Sequence, residues 1–139
     1  MRLSRRYRFC ASHRLHSDSL TETENQETYG KCNNPYGHGH NYVLDVTVSG
    51  RLDPVTGQVV SLGALDRLVD ECILREMDHR NLNEEVPEFA KLVPTSENLA
   101  VVIERRLKGE WEDRFTASGP RLDNVSLLET RRNRFDVNE

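Results

Sequence analysis

The segment Gly39–Gly50, GHNYVLDVTVSG, alternates between two kinds of side chain along its whole length. The mainly apolar set occupies the even positions: His40, Tyr42, Leu44, Val46 and Val48. The odd positions are mostly polar, and a period of two residues is typical of a strand that buries one face. His38 shares the parity of His40, so both imidazoles can point to the same side of an extended chain. The segment therefore predicts a half-buried strand that carries a histidine pair.

A second alternating segment runs from Arg5 to Leu15, and its odd positions carry Tyr7, Phe9, Ala11 and His13. We expect another strand here, with His13 on the apolar face near its end. The polar and acidic residues 17–31 between the two strands are predicted to form a loop.

Two helices and two further strands follow. Residues 62–74 show helical spacing behind a possible Ser61 cap, and MDHRNLN, Met77–Asn83, is expected to break that helix. A second helix is predicted to begin at Thr95 or Ser96, with Glu97 in its first turn. Its buried stripe would consist of Leu99, Val102, Ile103 and Leu107.

A strand from Leu122 to Arg131 and a short polar tail strand complete the order β-β-α-α-β-β. This order predicts an α+β fold with a four-stranded antiparallel sheet and two helices on one face. Residues 1–139 are expected to form a single domain. The exposed edges of so small a sheet favour oligomerisation.

Composition excludes several classes of function. The net charge of −4 gives no support for a nucleic-acid partner, and no stretch approaches the ~20 apolar residues of a membrane span. Three cysteines at irregular spacing do not form a disulfide framework, so a reducing cytoplasm is the expected location.

Three histidines are the strongest chemical signal. His13, His38 and His40 lie on the apolar faces of strands that should pair, and three imidazoles with one open position are typical of catalytic zinc. Cys32 has two interpretations. It is either a fourth ligand, which would make the zinc structural, or a free thiol that acts as a base or nucleophile. Spacing alone leaves both open.

Two further polar features are ambiguous when taken alone. Asp78 and His79 are either a pair that caps a helix end or groups that orient and protonate a partner. Glu129 follows Val125 and Leu127 in alternation, so it is either the polar end of a strand or a buried anchor for a cationic or amide-rich ligand.

Taken together, several stretches resemble the 6-pyruvoyl-tetrahydropterin synthase family from about Arg6 to Thr130. They are FCASHRL, GKCNNPYGHGHNY, LDPVTGQVV, MDHRNLN, VPTSENLA and LLET. The resemblance implies a tunnelling fold in which three monomers close their sheets into a barrel and two trimers stack. The protein would then be a homohexamer with active sites between subunits.

The resemblance also implies roles for single residues. His13, His38 and His40 match the ligands of one zinc ion per subunit, and Cys32 matches the proton-abstracting base. Asp78 and His79 match a catalytic pair contributed by a neighbouring subunit. Glu129 matches the residue that binds the pterin ring. Thr95, Ser96 and Glu97 match a segment that lies near the pterin.

The implied activity is that of a lyase: 7,8-dihydroneopterin triphosphate is converted to 6-pyruvoyl-tetrahydropterin with loss of triphosphate. Five residues separate Cys32 from His38, which is the pyruvoyl-synthase spacing; related 6-carboxytetrahydropterin synthases of queuosine synthesis usually have a gap shorter by two. That activity stays an alternative, as does a non-catalytic zinc-stabilised module. Lys31 and Arg14 are candidates for contacting the triphosphate, together with basic residues of neighbouring subunits.

Overall fold

Two twelve-residue strands, β1 (Arg2–His13) and β2 (His38–Ser49), form the long antiparallel ladder at the centre of the fold. The computed structural model describes residues 1–138. Three further strands, β3 (Arg80–Asn81), β4 (Arg121–Leu128) and β5 (Arg134–Asn138), extend the sheet in the order β3-β1-β2-β4-β5. The α+β prediction is confirmed, but the four-stranded antiparallel sheet is wrong in one respect. β3 is a fifth strand and lies parallel to β1; two residues are too few to produce an alternating pattern in the sequence.

The helical elements lie mainly between β2 and β4. The α-helices are α1 (Glu22–Tyr29), α2 (Leu62–Val69), α3 (Arg75–Met77), α4 (Leu82–Glu85) and α5 (Ser96–Arg114). A π-helical turn, Asp70–Leu74, joins α2 to α3, and 3₁₀ turns span Gly30–Asn33 and Pro87–Ala90. The cap predicted for α5 is present, since the Thr95 hydroxyl accepts a hydrogen bond from the backbone N–H of Asn98 at 3.2 Å. No helix in residues 1–138 is both long and apolar enough to cross a membrane.

The two faces of the sheet differ in chemistry. One face packs its apolar side chains against α2 and α5, and the predicted stripe of α5 is buried in this core: Leu99, Val102, Ile103 and Leu107. The other face is polar. There the Arg6 guanidinium makes two 2.8 Å hydrogen bonds to the Asp45 carboxylate, which lowers the pKa of that carboxyl group. The side chains of β1 and β2 that share a face with His13, His38 and His40 therefore point towards the helices.

Residues 17–31 are not the loop predicted from the sequence, because α1 occupies most of this segment. The helix begins with a capping box: the Thr21 hydroxyl accepts from the Glu24 N–H at 3.1 Å, and the Glu24 carboxylate accepts from the Thr21 N–H at 2.9 Å. Asn25 is fully buried, and its side-chain amide donates to the carbonyls of Ser17, Leu20 and Thr21. Polar contacts rather than an apolar face hold α1 in place.

Two predicted strand boundaries also shift. β1 ends at His13 rather than Leu15, and β4 ends at Leu128 rather than Arg131. Glu129 consequently lies one residue beyond its strand. The predicted tail strand is present as β5.

Candidate metal and active site

Three imidazoles meet at one end of the β1–β2 ladder, where His13 and His38 are direct partners in the strand register. The ring centroid of His13 lies 4.9 Å from that of His38 and 4.8 Å from that of His40. The Nε2 atoms of His38 and His40 are 2.6 Å apart. The predicted convergence of these side chains is therefore present, and it follows from their shared parity on two paired strands.

A glycine makes this close approach possible. Gly37 adopts a positive φ of 71°, and a Cβ at this position would lie 2.8 Å from the backbone oxygen of His13. Any larger residue would push the end of β2 away from β1, because a backbone atom cannot give way as a flexible side chain can. Gly37 thus sets the spacing between His38 and His13.

His13 is oriented for ligation by a contact that was not predicted from the sequence. Its Nδ1 lies 2.8 Å from the Pro94 carbonyl oxygen, to which it must donate, so Nε2 carries the free lone pair. That Nε2 is buried without a hydrogen-bond partner in residues 1–138. A hydrogen bond from the other ring nitrogen to a backbone carbonyl commonly fixes the tautomer of a metal-binding histidine. The only sequence signal for it is that Pro94 directly precedes the α5 cap.

Cys32 and Glu129 complete the cluster. The Cys32 thiol and the ligand atoms of His13 and His38 lie within 4.8 Å of one another, as do those of His13, His40 and Glu129. Glu129 Oε1 is 3.0 Å from His40 Nε2 and 3.9 Å from His13 Nε2. Partial burial raises the pKa of the Cys32 thiol, and the charge of Glu129 raises it further.

The donor set fits a zinc ion. Neutral imidazole is the form that binds zinc, and burial lowers the pKa of His13 to about 4. Burial also lowers the pKa of His38, with a further contribution from His40. Three such nitrogens beside one thiol and one carboxylate match the composition of a catalytic zinc site with an additional acid–base group. His13, His38 and His40 would hold the ion.

Asp78 and His79 lie elsewhere, at the outer edge of β1. The adjacent side chains contact each other, with 3.1 Å between Asp78 Oδ1 and His79 Nδ1. Asp78 Oδ1 also accepts from the Cys10 N–H at 2.9 Å, and the His79 N–H donates to the Cys10 carbonyl at 2.6 Å. His79 adopts a φ of 59°, unusual for a non-glycine residue, and its side chain is 81% exposed. The pair is thus rigidly anchored but open to an approaching molecule.

A cavity of about 550 Å³ adjoins His79, and of the cluster around His13 only His40 contributes to its lining. Thr95, Ser96 and Glu97 directly follow Pro94, whose carbonyl oxygen contacts His13 Nδ1. Ser96 is buried and Glu97 is exposed. The single chain therefore brings together the three histidines, Cys32 and Glu129. Asp78 and His79 are outside this cluster of possible ligands, although His79 shares a cavity with His40.

Comparison with known proteins identifies the family. The family model described as 6-pyruvoyl tetrahydropterin synthase matches residues 2–139. The chain belongs to this family. The 6-pyruvoyl tetrahydrobiopterin synthase of Poecilia reticulata is 58% identical over 95 residues, which are 68% of this chain and 65% of that protein. The Homo sapiens protein of the same name is 52% identical over 101 residues, or 73% of this chain and 70% of that protein.

A solved structure supports the same assignment. The 6-pyruvoyl tetrahydropterin synthase of Caenorhabditis elegans superposes with a TM-score of 0.89 at 40% identity, covering 100% of this chain and 95% of that chain. Both the resemblance to the family and the fold that it implies for the single subunit are confirmed.

For this synthase-family chain, we expect metal-free protein to lose stability between pH 6.5 and about pH 4. An unfolded histidine takes up a proton near pH 6.5, whereas folded His13 does so only near pH 4. Because the unfolded state binds the extra proton in this window, stability falls as the pH falls through it, by about 3 kcal/mol at most. Urea unfolding of chelator-treated protein at pH 7 and pH 4.5 measures the loss.

The His13→Gln variant should show a smaller decrease over the same range, whereas His16→Gln, which alters a half-buried histidine outside the cluster, should retain the full decrease. Equal pH dependence in wild type and His13→Gln would contradict the prediction.

Proposed function

We propose that this chain is a zinc-dependent lyase that converts 7,8-dihydroneopterin triphosphate to 6-pyruvoyl-tetrahydropterin and triphosphate. The observation that carries this proposal is the convergence of His13, His38 and His40 with the Cys32 thiol and the Glu129 carboxylate. A purely structural zinc site needs four ligands and no further acid–base group. Membership of the family supports a pterin as the substrate.

Each residue has a defined task in this reaction. A zinc ion held by His13, His38 and His40 would supply Lewis acidity toward the hydroxyl oxygens of the substrate side chain. Cys32 as thiolate removes the carbon-bound protons beside those hydroxyls. The carboxylate of Glu129 accepts hydrogen bonds from the guanidine-like edge of the pterin and fixes the ring, so that only the side chain reaches the histidines. The redox change is internal to the substrate, so no nicotinamide is required.

The raised pKa of Cys32 is compatible with this role. Burial and the Glu129 charge both favour the thiol, and a cation held by the neighbouring imidazoles acts in the opposite direction because opposite charge favours the thiolate. A cation held by the three histidines would therefore favour the thiolate form of Cys32 that the reaction needs.

Asp78 and His79 are proposed to serve the active site of a neighbouring subunit, where His79 handles protons on the opposite side of the substrate. Their rigid anchoring on β1 and the exposure of the His79 imidazole support this placement. The assembly is proposed to be a homohexamer, a dimer of trimers. The edge strands β3 and β5 leave backbone groups available for pairing between subunits. The single domain over residues 1–139 and the cytoplasmic location stay predictions.

The identity of the product distinguishes this function from the 6-carboxytetrahydropterin synthase activity. Zinc-loaded protein is incubated with 7,8-dihydroneopterin triphosphate, and the products are identified by mass spectrometry. We expect 6-pyruvoyl-tetrahydropterin and triphosphate, with turnover lost after chelation and restored by zinc. Acetaldehyde together with a 6-carboxypterin would instead identify the carboxytetrahydropterin activity.

A further inference from the structure

A second cavity is lined in part by Lys31 and Asn33, the residues that flank Cys32 in the chain. Its volume is about 390 Å³, and it is formed by the residues after β1, by α1 and by the 3₁₀ turn. Arg14, His16 and Lys31 contribute basic side chains to the lining, whereas Glu22 contributes the only carboxylate among the lining residues that the structure describes. The cavity therefore carries a net positive charge. We refer to it as the Arg14 pocket.

The Arg14 side chain is positioned but not neutralised. The side-chain amide of Asn83 makes two hydrogen bonds to the backbone of Arg14. Its Oδ1 accepts from the Arg14 N–H at 2.7 Å, and its Nδ2 donates to the Arg14 carbonyl at 2.9 Å. The guanidinium Nε donates to the Asn33 carbonyl at 3.3 Å. Within residues 1–138 no carboxylate pairs with Arg14. Its terminal nitrogens are consequently free to bind an anion.

His16 and Lys31 add donors to the same pocket. The Asn33 amide donates to His16 Nδ1 at 3.0 Å, so in the neutral ring the proton is on Nε2, which can donate. Asp18 Oδ1 is 3.7 Å from that Nε2, beyond hydrogen-bonding distance. Lys31 is exposed, and no carboxylate in the described part of the chain pairs with it. A guanidinium, an ammonium and an imidazole N–H thus line one cavity.

Two of the residues that line the Arg14 pocket adjoin His13 and Cys32 in the chain. Arg14 follows His13 in the chain and Lys31 precedes Cys32, and a 2.8 Å hydrogen bond from the Leu15 N–H to the Cys32 carbonyl ties the two segments together. Two basic residues of the pocket are therefore immediate chain neighbours of a candidate metal ligand and of the proposed base.

We propose that the Arg14 pocket binds the triphosphate arm of the substrate, with Arg14 and Lys31 as positioning residues. This inference deepens the proposed function and rests on it for the identity of the ligand. A planar guanidinium suits paired phosphate oxygens, and a flexible ammonium can follow a second phosphate. Anchoring the phosphates in this pocket fixes the far end of the side chain whose carbon atoms react at Cys32.

Calorimetric titration of inorganic triphosphate into the full-length, zinc-loaded protein tests the pocket without any need for turnover. We expect Arg14→Gln and Lys31→Gln each to weaken binding about tenfold, as is typical for the loss of one charge-assisted contact. The matched controls are Arg105→Gln and Lys91→Gln, which remove exposed charges elsewhere. They should bind as wild type does. Lys31→Gln is the decisive variant, since an exposed side chain can be changed without disturbing the fold.

Unchanged binding in both pocket variants would overturn the assignment, because the triphosphate would then bind elsewhere, for example at the zinc. An equal loss in the control variants would also overturn it, as would wild-type affinity for inorganic orthophosphate equal to that for triphosphate. The proposed function fails separately: no turnover of dihydroneopterin triphosphate by wild type refutes that function, whereas the pocket is judged on triphosphate binding alone. If the proposed function and the assignment of the Arg14 pocket are both correct, Arg14→Gln and Lys31→Gln raise KM for the substrate more than they lower kcat.

Discussion

Replacing Cys32 with alanine is expected to lower kcat by about 10²–10⁴-fold while one zinc ion per subunit stays bound. The magnitude is that of losing a positioned acid–base group. The zinc stays because three imidazole ligands remain, and His13 keeps its orienting bond to the Pro94 carbonyl. Turnover of 7,8-dihydroneopterin triphosphate and zinc content by atomic absorption are measured on the same preparation.

Cys72→Ala is the matched control for this experiment. Cys72 is also a partly buried free thiol whose pKa is raised by burial, but it lies in the π-helical turn between α2 and α3. Its replacement should leave both turnover and zinc content unchanged. If Cys32→Ala instead loses its zinc, Cys32 is a ligand, and the structural-zinc alternative replaces the enzyme hypothesis.

The second large effect is expected from Glu129→Gln, which keeps the shape of the side chain and removes its charge. We expect affinity for the pterin to fall by about 10–100-fold, since hydrogen bonds to a charged group contribute roughly 1.5–3 kcal/mol. Zinc should stay bound. Binding is measured with unphosphorylated dihydroneopterin, so that the phosphate contacts do not enter. Glu112→Gln, which alters an exposed carboxylate on α5, is the control.

Glu129→Gln also has a predicted effect on pH dependence. The charge of Glu129 raises the pKa of Cys32, so its removal should lower that pKa. The acidic limb of the kcat profile, where activity rises as the thiolate forms, should then shift to lower pH. Loss of zinc in this variant would contradict the assignment and would make Glu129 a ligand, as its 3.0 Å distance to His40 Nε2 allows.

The elements predicted well from sequence are those that bury an apolar face. β2 and α5 each place one apolar set against the core, which leaves a period of two or of 3.6 residues in the sequence. The helix α1 leaves no such period, because Asn25 is its only buried residue. The sequence does contain a capping-box pattern at Thr21 and Glu24. A cap that is not followed by an apolar stripe does not by itself predict a helix.

The same distinction applies to the candidate site. The convergence of the three histidines follows from strand parity and pairing, so it was predictable. The contact between Asp78 and His79 was not, because it depends on the positive φ of His79 and on backbone bonds to Cys10, which is distant in sequence. The roles of Cys32 and Glu129 could not be separated by spacing, and both lie within reach of the histidines.

The pairing of His13 with His38 has a consequence for folding. Residues 14–37 connect β1 to β2, and a connection of this length cannot fix which residues face each other as a two-residue turn does. A slip of one residue would turn one strand's imidazoles to the polar face. An ion that requires all three histidines would therefore bind only when β1 and β2 are paired in the correct register. Its binding would stabilise that register against the shifted alternatives.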